Sequence, residues 1–160
     1  MLLEEFVHET CYVHDCGMLE VNRSALHTPL TVNGVVYERG LGAHSISRLL
    51  YDLDGKAVSI SGLAGADDKN LFAGKLQFKI LGDKKELWKS GVMQKGDPVK
   101  EFNVNLKGVD KVLLLVEECG DGIMYDHADW LNVKITTRGD VKPVAAWANP
   151  VAKEKNVLTP

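Results

Sequence analysis

Leu76, Phe78 and Ile80 alternate with Lys75, Gln77 and Lys79, and this period of two recurs along the chain. Val58 and Ile60 alternate with Ser59 and Ser61. Phe102, Val104 and Leu106 alternate with Asn103 and Asn105, and Leu131, Val133 and Ile135 with Asn132, Lys134 and Thr136. Successive side chains of an extended strand point to opposite faces, so such runs give a sheet one dry face and one wet face. Apolar runs at 49–53 and 112–116 read as further strands. No stretch holds the 3.6-residue period of an amphipathic helix. Turn signals separate the runs. Asn33-Gly34 lies between Leu30-Thr-Val and Val35-Val-Tyr, a strong hairpin signal because both turn residues must tolerate positive φ. Gly82-Asp83 and Gly108-Val-Asp110 mark further turns, and residues 39–44, 64–70 and 91–97 read as loops. Eight or nine short strands with one wet face each bury their dry faces by stacking as two sheets about 10 Å apart. The expected fold is all-β, an antiparallel β-sandwich of the jelly-roll kind.

At 160 residues, one domain is expected. Residues 1–138 form the sandwich. Residues 139–160 hold three of the five prolines (Pro143, Pro150, Pro160) and read as a linker or a tail docked on the surface, with Trp147 as its docking residue. Net charge is -3, from 19 basic and 22 acidic side chains, which lacks the basic footprint of a nucleic-acid binder. No apolar run approaches the roughly 20 residues of a membrane span. The first six residues are too short for a signal peptide and carry Glu4 and Glu5, so a secreted parent would have lost its signal. Cys11, Cys16 and Cys119 form no Cys-x-x-Cys pair and are expected reduced.

The chemistry concentrates in Cys119-Gly-Asp-Gly-Ile-Met-Tyr-Asp-His-Ala-Asp-Trp130, which reads as a loop of about ten residues between two strands. It carries Asp121, Tyr125, Asp126, His127, Asp129 and Trp130. Carboxylates accept hydroxyl hydrogens, an imidazole donates or accepts, and an aromatic face covers a patch of C–H groups. This set suits a polyhydroxylated ligand. The loops at 39–44 and 64–70 add His44, Asp67 and Asp68. The same carboxylates suit a hard cation, so structural calcium at Asp67, Asp68 and Asp121 is the rival use, although no EF-hand spacing is present. A solvated acidic loop, with Trp130 as the first core residue of the next strand, accounts for the composition as well.

Catalysis is not expected. Nothing fixes Cys119 and His127 as a nucleophile and base, the five histidines are too scattered for zinc, and a small sandwich seldom encloses paired carboxylates in a deep cleft.

Four ordered segments resemble the NPCBM domain, also classed as carbohydrate-binding module family 51. They are Arg39-Gly-Leu-Gly-Ala-His44, Gly62-Leu-Ala-Gly-Ala-Asp-Asp68, Ser90-Gly-Val-Met93 and Gly120-Asp-Gly-Ile-Met-Tyr-Asp-His-Ala-Asp-Trp130. The resemblance implies a galactose-binding-domain-like sandwich that binds galactose-like sugars on glycans. It implies a module with no required cofactor, attached to the catalytic domain of a secreted, periplasmic or cell-surface bacterial glycoside hydrolase of the α-galactosidase-like kind. His44, Asp67, Asp68, Tyr125, Asp126, His127, Asp129 and Trp130 stand at the family's motif positions, some as sugar contacts and others as residues that shape the loops. The family often has an aromatic-glycine pair near its start, where this chain has Cys16-Gly17. A sandwich that has lost that stacking platform and packs on its own catalytic domain without binding sugar is the alternative.

Overall fold

The structure, a computed structural model, describes residues 11–13, 20–24, 26, 28–44, 47–70, 75–119, 127–138 and 144–145. Among them are thirteen strands and no helix. They are β1 (Cys11–Val13), β2 (Glu20–Val21), β3 (Leu30–Val32), β4 (Val35–Tyr37), β5 (Gly40–His44), β6 (Ser47–Asp52), β7 (Ala57–Ala66), β8 (Leu76–Gly82), β9 (Lys85–Met93), β10 (Lys100–Asn105), β11 (Lys111–Glu118), β12 (His127–Thr137) and β13 (Val144–Ala145). One sheet runs β1-β6-β11-β8-β9, with β13 also pairing β6. The second runs β10-β7-β12-β5-β2, and β3 and β4 form a separate hairpin. Every pairing is antiparallel.

The alternating runs do what their period demands. Leu76, Phe78 and Ile80 of β8, Phe102 and Val104 of β10, and Val112, Leu114 and Val116 of β11 meet in one core between the sheets. Trp130 lies at its centre, edge-on to Phe78 at 4.9 Å and to Phe102 at 5.8 Å between ring centroids. Such edge-to-face contacts add about 0.5–1.5 kcal/mol to the gain from burial. The Asn33-Gly34 turn forms as expected, with φ of 51° and 83° and Val32 opposite Val35. The hairpin lies on the outer face of the second sheet, where Leu30 and Val32 pack on Leu131 with Tyr37, Leu63 and Val99 in a smaller cluster.

Four segments differ from the sequence reading. The run at 39–44 is not a loop but strand β5. Its glycines serve close approach: a Cβ at Gly40 would sit 2.3 Å from the Trp130 carbonyl oxygen, and one at Gly42 2.2 Å from that of Arg23. β7 continues through Ala66, so the acidic loop begins at Asp67. β9 continues to Met93, with Gly91 at φ 79° beside a register shift opposite Gln77 to Lys79. Finally, β12 starts at His127, so the last four residues of the supposed ten-residue loop belong to a strand.

β12 also breaks its own alternation. Its register to β7 shifts between Leu131 and Lys134, and Asn132 takes φ 49°, the geometry of a β-bulge. The extra residue separates Leu131 from Val133 and Ile135, which a regular strand would put on one face. Ala128, Trp130, Val133 and Ile135 enter the main core, while Leu131 faces the hairpin.

Candidate functional site

Antiparallel register gathers the expected segments at one end of the second sheet. β5, β12 and β7 are neighbours, with His44 opposite His127 and Ala128 opposite both Ala43 and Ala66. Asp67, Asp68 and Asn70 follow β7 immediately, so the polar residues of three distant segments leave the sheet side by side. In the first sheet, Glu118 of β11, Leu76 of β8 and Met93 of β9 pair in line. The connections leaving β5, β7, β9 and β11 therefore all start from this end.

Backbone hydrogen bonds fix the arrangement. The Asn70 side chain closes a two-point clamp on the His127 peptide unit: its Oδ1 accepts from His127 N at 2.8 Å, and its Nδ2 donates to His127 O at 3.1 Å. Asp67 N donates to the same carbonyl at 3.0 Å. The Asp67 carboxylate accepts from Lys69 N at 2.8 Å and from Thr31 N at 3.3 Å. The Asp68 carboxylate accepts from Asn33 N and Gly34 N, both at 2.8 Å, and Asp68 N donates to Thr31 O at 2.8 Å. The 67–70 loop thus ties the start of β12 to the β3–β4 hairpin. Because each acceptor is a charged carboxylate or sits in a buried site, these bonds hold geometry more firmly than exposed neutral ones.

Asp129 is fully buried on β12, and neither carboxyl oxygen has a donor among the described residues. Burial, followed by the carboxyl group and charge of Asp67 and then the charge of Asp68, holds its pKa well above the usual carboxylate range. As two carboxylates, Asp129 and Asp67 have no hydrogen to share. A proton retained by Asp129 removes the cost of burying a charge there.

The expected site residues therefore fall into groups. Asp67, Asp129 and Trp130 are inaccessible, and His127 is 7% exposed. Asp68 is half-buried, its oxygens turned to the hairpin backbone. His44 ends β5 opposite His127. Asp121, Tyr125 and Asp126 lie outside the described residues, as do Cys16 and Trp147. Asn70, fully buried, was not singled out from the sequence. The signal was an amide closing an acidic turn, which reads as turn chemistry until its partner 57 residues away is known. Among the described residues, no group of three or more histidines, cysteines or carboxylates is arranged to hold a metal ion. A cation at Asp67 and Asp68 would compete with the four backbone N–H donors these carboxylates already accept from.

The profile of the NPCBM/NEW2 domain matches residues 7–136. The chain belongs to the NPCBM/NEW2 family. This NPCBM module is 29% identical over 129 residues to alpha-1,3-galactosidase B of Akkermansia muciniphila, a match covering 78% of this chain and 16% of that protein. It superposes with a TM-score of 0.77 on the CBM51 of a Clostridium perfringens GH95 protein in complex with methyl-galactose, at 24% identity, covering 85% of this chain and 99% of that one. It also matches the structure of the M60 catalytic domain with the CBM51-1 and CBM51-2 domains of Clostridium perfringens ZmpB, at 28% identity and a TM-score of 0.78, covering 86% of this chain and 15% of that one. The NPCBM module thus has the CBM51 sandwich fold and spans a small part of the larger proteins it matches.

Proposed function

We propose that this NPCBM module is a non-catalytic carbohydrate-binding domain that holds a galactose-like residue of a glycan at the loop-bearing end and directs an attached, secreted or cell-surface glycoside hydrolase to it. The observation that carries the reading is the convergence of β5, the 67–70 loop and the start of β12. The fold shared with a module solved with methyl-galactose supports it. His44, Tyr125, Asp126 and His127 are the proposed sugar contacts. Asp67, Asp68, Asn70, Asp129 and Trp130 hold the backbone that presents them. Hydroxyl groups are read by carboxylate and imidazole, and the tyrosine ring covers the C–H face of the sugar.

A shallow end-on site of this kind gives affinities between about 10 μM and 1 mM, or roughly -7 to -4 kcal/mol. Tethering to an enzyme makes such affinities useful by raising local concentration. The test is a thermal-shift and calorimetric titration with galactose, N-acetylgalactosamine, fucose and glucose, each with and without calcium and chelator. Sugar-specific stabilisation that grows with concentration, and is lost in Asp126→Ala and His127→Ala while both still fold, supports the reading. A flat response to tens of millimolar of every sugar, from a folded chain, refutes it in favour of a structural module that packs on its own catalytic domain. Stabilisation by calcium alone would reassign the acidic loops to a structural role.

A further inference from the structure

The outer face of the second sheet, at the end opposite the loops, carries a hollow that the proposed sugar site does not use. It is an open hollow of about 770 Å³, lined by Gly55, Ser59, Asn103, Asn105, Lys107 and Arg138, among others. Register shows how it is built. Asn105 of β10 lies opposite Ser59 of β7, which lies opposite Thr136 of β12; in the next row Asn103 lies opposite Ser61, which lies opposite Lys134. Their neighbours Phe102, Val104, Ile60, Val133 and Ile135 are all buried in the core, so the two rows share the outward face. Of these residues Ser59, Asn103 and Asn105 line the hollow, two neighbouring strands about 5 Å apart and two rows about 7 Å apart, the scale of one sugar ring.

Two features distinguish this face from an ordinary wet sheet face. Its middle is built of short hydroxyl and amide side chains that leave a concavity, where long charged chains would fill it. Its cations are also in no ion pair among the described residues, with Asp110, beside Gly55, as a nearby carboxylate. Neither Lys107 nor Arg138 is paired with a carboxylate there, while Asp54 on the adjoining turn is held by Lys56 at 3.7 Å. Arg138 is fixed at the rim by a bond from its guanidinium to Gly55 O at 3.1 Å, and the Asn105 carbonyl is fixed by Lys107 N at 2.9 Å. Lys107 and Arg138 stand just after β10 and β12, while Ser59, Asn103 and Asn105 stand on the strands themselves.

We propose that this hollow is a second carbohydrate site, one that takes a sugar bearing a sulfate or carboxylate group. Lys107 and Arg138 bind the anion, and Ser59, Asn103 and Asn105 bind the ring hydroxyls. Because it lies across the sandwich from the loop-bearing end, the two sites engage separate residues and can fail separately.

The test is an amide-resolved NMR titration of the chain with galactose 6-sulfate, galactose and sodium sulfate in parallel. Galactose 6-sulfate is expected to shift the amides of Ser59, Asn103, Asn105 and Lys107, with a response that weakens as sodium chloride rises from 20 to 500 mM. Lys107→Glu and Asn103→Ala, both exposed and outside the core, should each weaken that response, the former roughly tenfold or more. Both should leave the loop-end amides of Lys69, Asn70 and His127 unchanged. Equal shifts with sodium sulfate would mark an adventitious anion site, and equal shifts with galactose would show that the cations play no part. Either result, or no shift at these amides, overturns the proposal.

Discussion

Asp129→Asn isolates the energetic role of the buried carboxyl pair. Asparagine has nearly the same shape and stays neutral at every pH. In the native protein, Asp129 binds its proton far more tightly than in the unfolded chain, where it titrates near 3.9. Between the unfolded and the folded pKa, the native state holds a proton that the unfolded state has released. Stability from this group is therefore fully present below about pH 3.9 and is lost as pH rises toward the raised native value, by up to about 1.4 kcal/mol per pH unit. For a chain of this size that is roughly 3–6 °C in Tm per unit. The difference in Tm between Asp129→Asn and the parent cancels the titration of other groups. It should move in favour of the variant as pH is raised from 4 to 8. Calorimetry at five pH values measures it. A constant difference across that range would show that Asp129 ionises normally and refute the raised pKa.

Three further substitutions probe the scaffold. Asn70→Ala removes both ends of the clamp and leaves the buried His127 N–H without its acceptor. It should cost about 2–3 kcal/mol in urea unfolding and reduce the sugar response as well. Gly42→Ala drives a methyl into the chain at Arg23 and Ser24. It should cost about 3 kcal/mol and loosen β2 from β5, read as faster amide exchange in β5. Gly34→Ala meets nothing within 4 Å, so its cost is the positive φ alone, about 1–2 kcal/mol, and ligand titrations should be unchanged.

Much of the fold is legible because strand period and turn chemistry are local. Leu76, Phe78 and Ile80 need no partner to declare a dry face, and Asn33-Gly34 declares its hairpin from two residues. β5 is illegible for the opposite reason. Glycine in sequence signals a turn, and only the positions of Trp130 and Arg23, distant along the chain, reveal that Gly40 and Gly42 make room for other backbones. The same limit hid the start of β12. His127-Ala-Asp-Trp looks like loop chemistry because two of its residues are polar, yet the hairpin buries the strand's outer face there and so hides Asp129. Of the site, the sequence supplied the residue types and their three segments. Their adjacency depends on sheet order, which runs β7-β12-β5 and follows no sequence neighbourhood. Asn70 was legible only as a turn residue, since its function lies in a peptide unit 57 positions away.

The bulge at Asn132 bears on how this chain can diverge. A strand ordinarily accepts exchange of one residue for another far more readily than a change of length, because one inserted or deleted residue turns everything beyond it over. Here the bulge is a point where that rule is relaxed. Removing Asn132 would restore a regular alternation with Trp130, Val133 and Ile135 still on the core face and Leu131 still on the hairpin face, because 132 is the residue the pairing does not need. Lineages carrying this sandwich can therefore drop position 132 at the cost of the local bend and of the Asn132 N bond to Arg39 O, whereas a deletion in β12 away from the bulge turns over the residues beyond it. Insertions and deletions should accumulate in the connections at the strand ends, where a change in length alters what is recognised without disturbing what is folded.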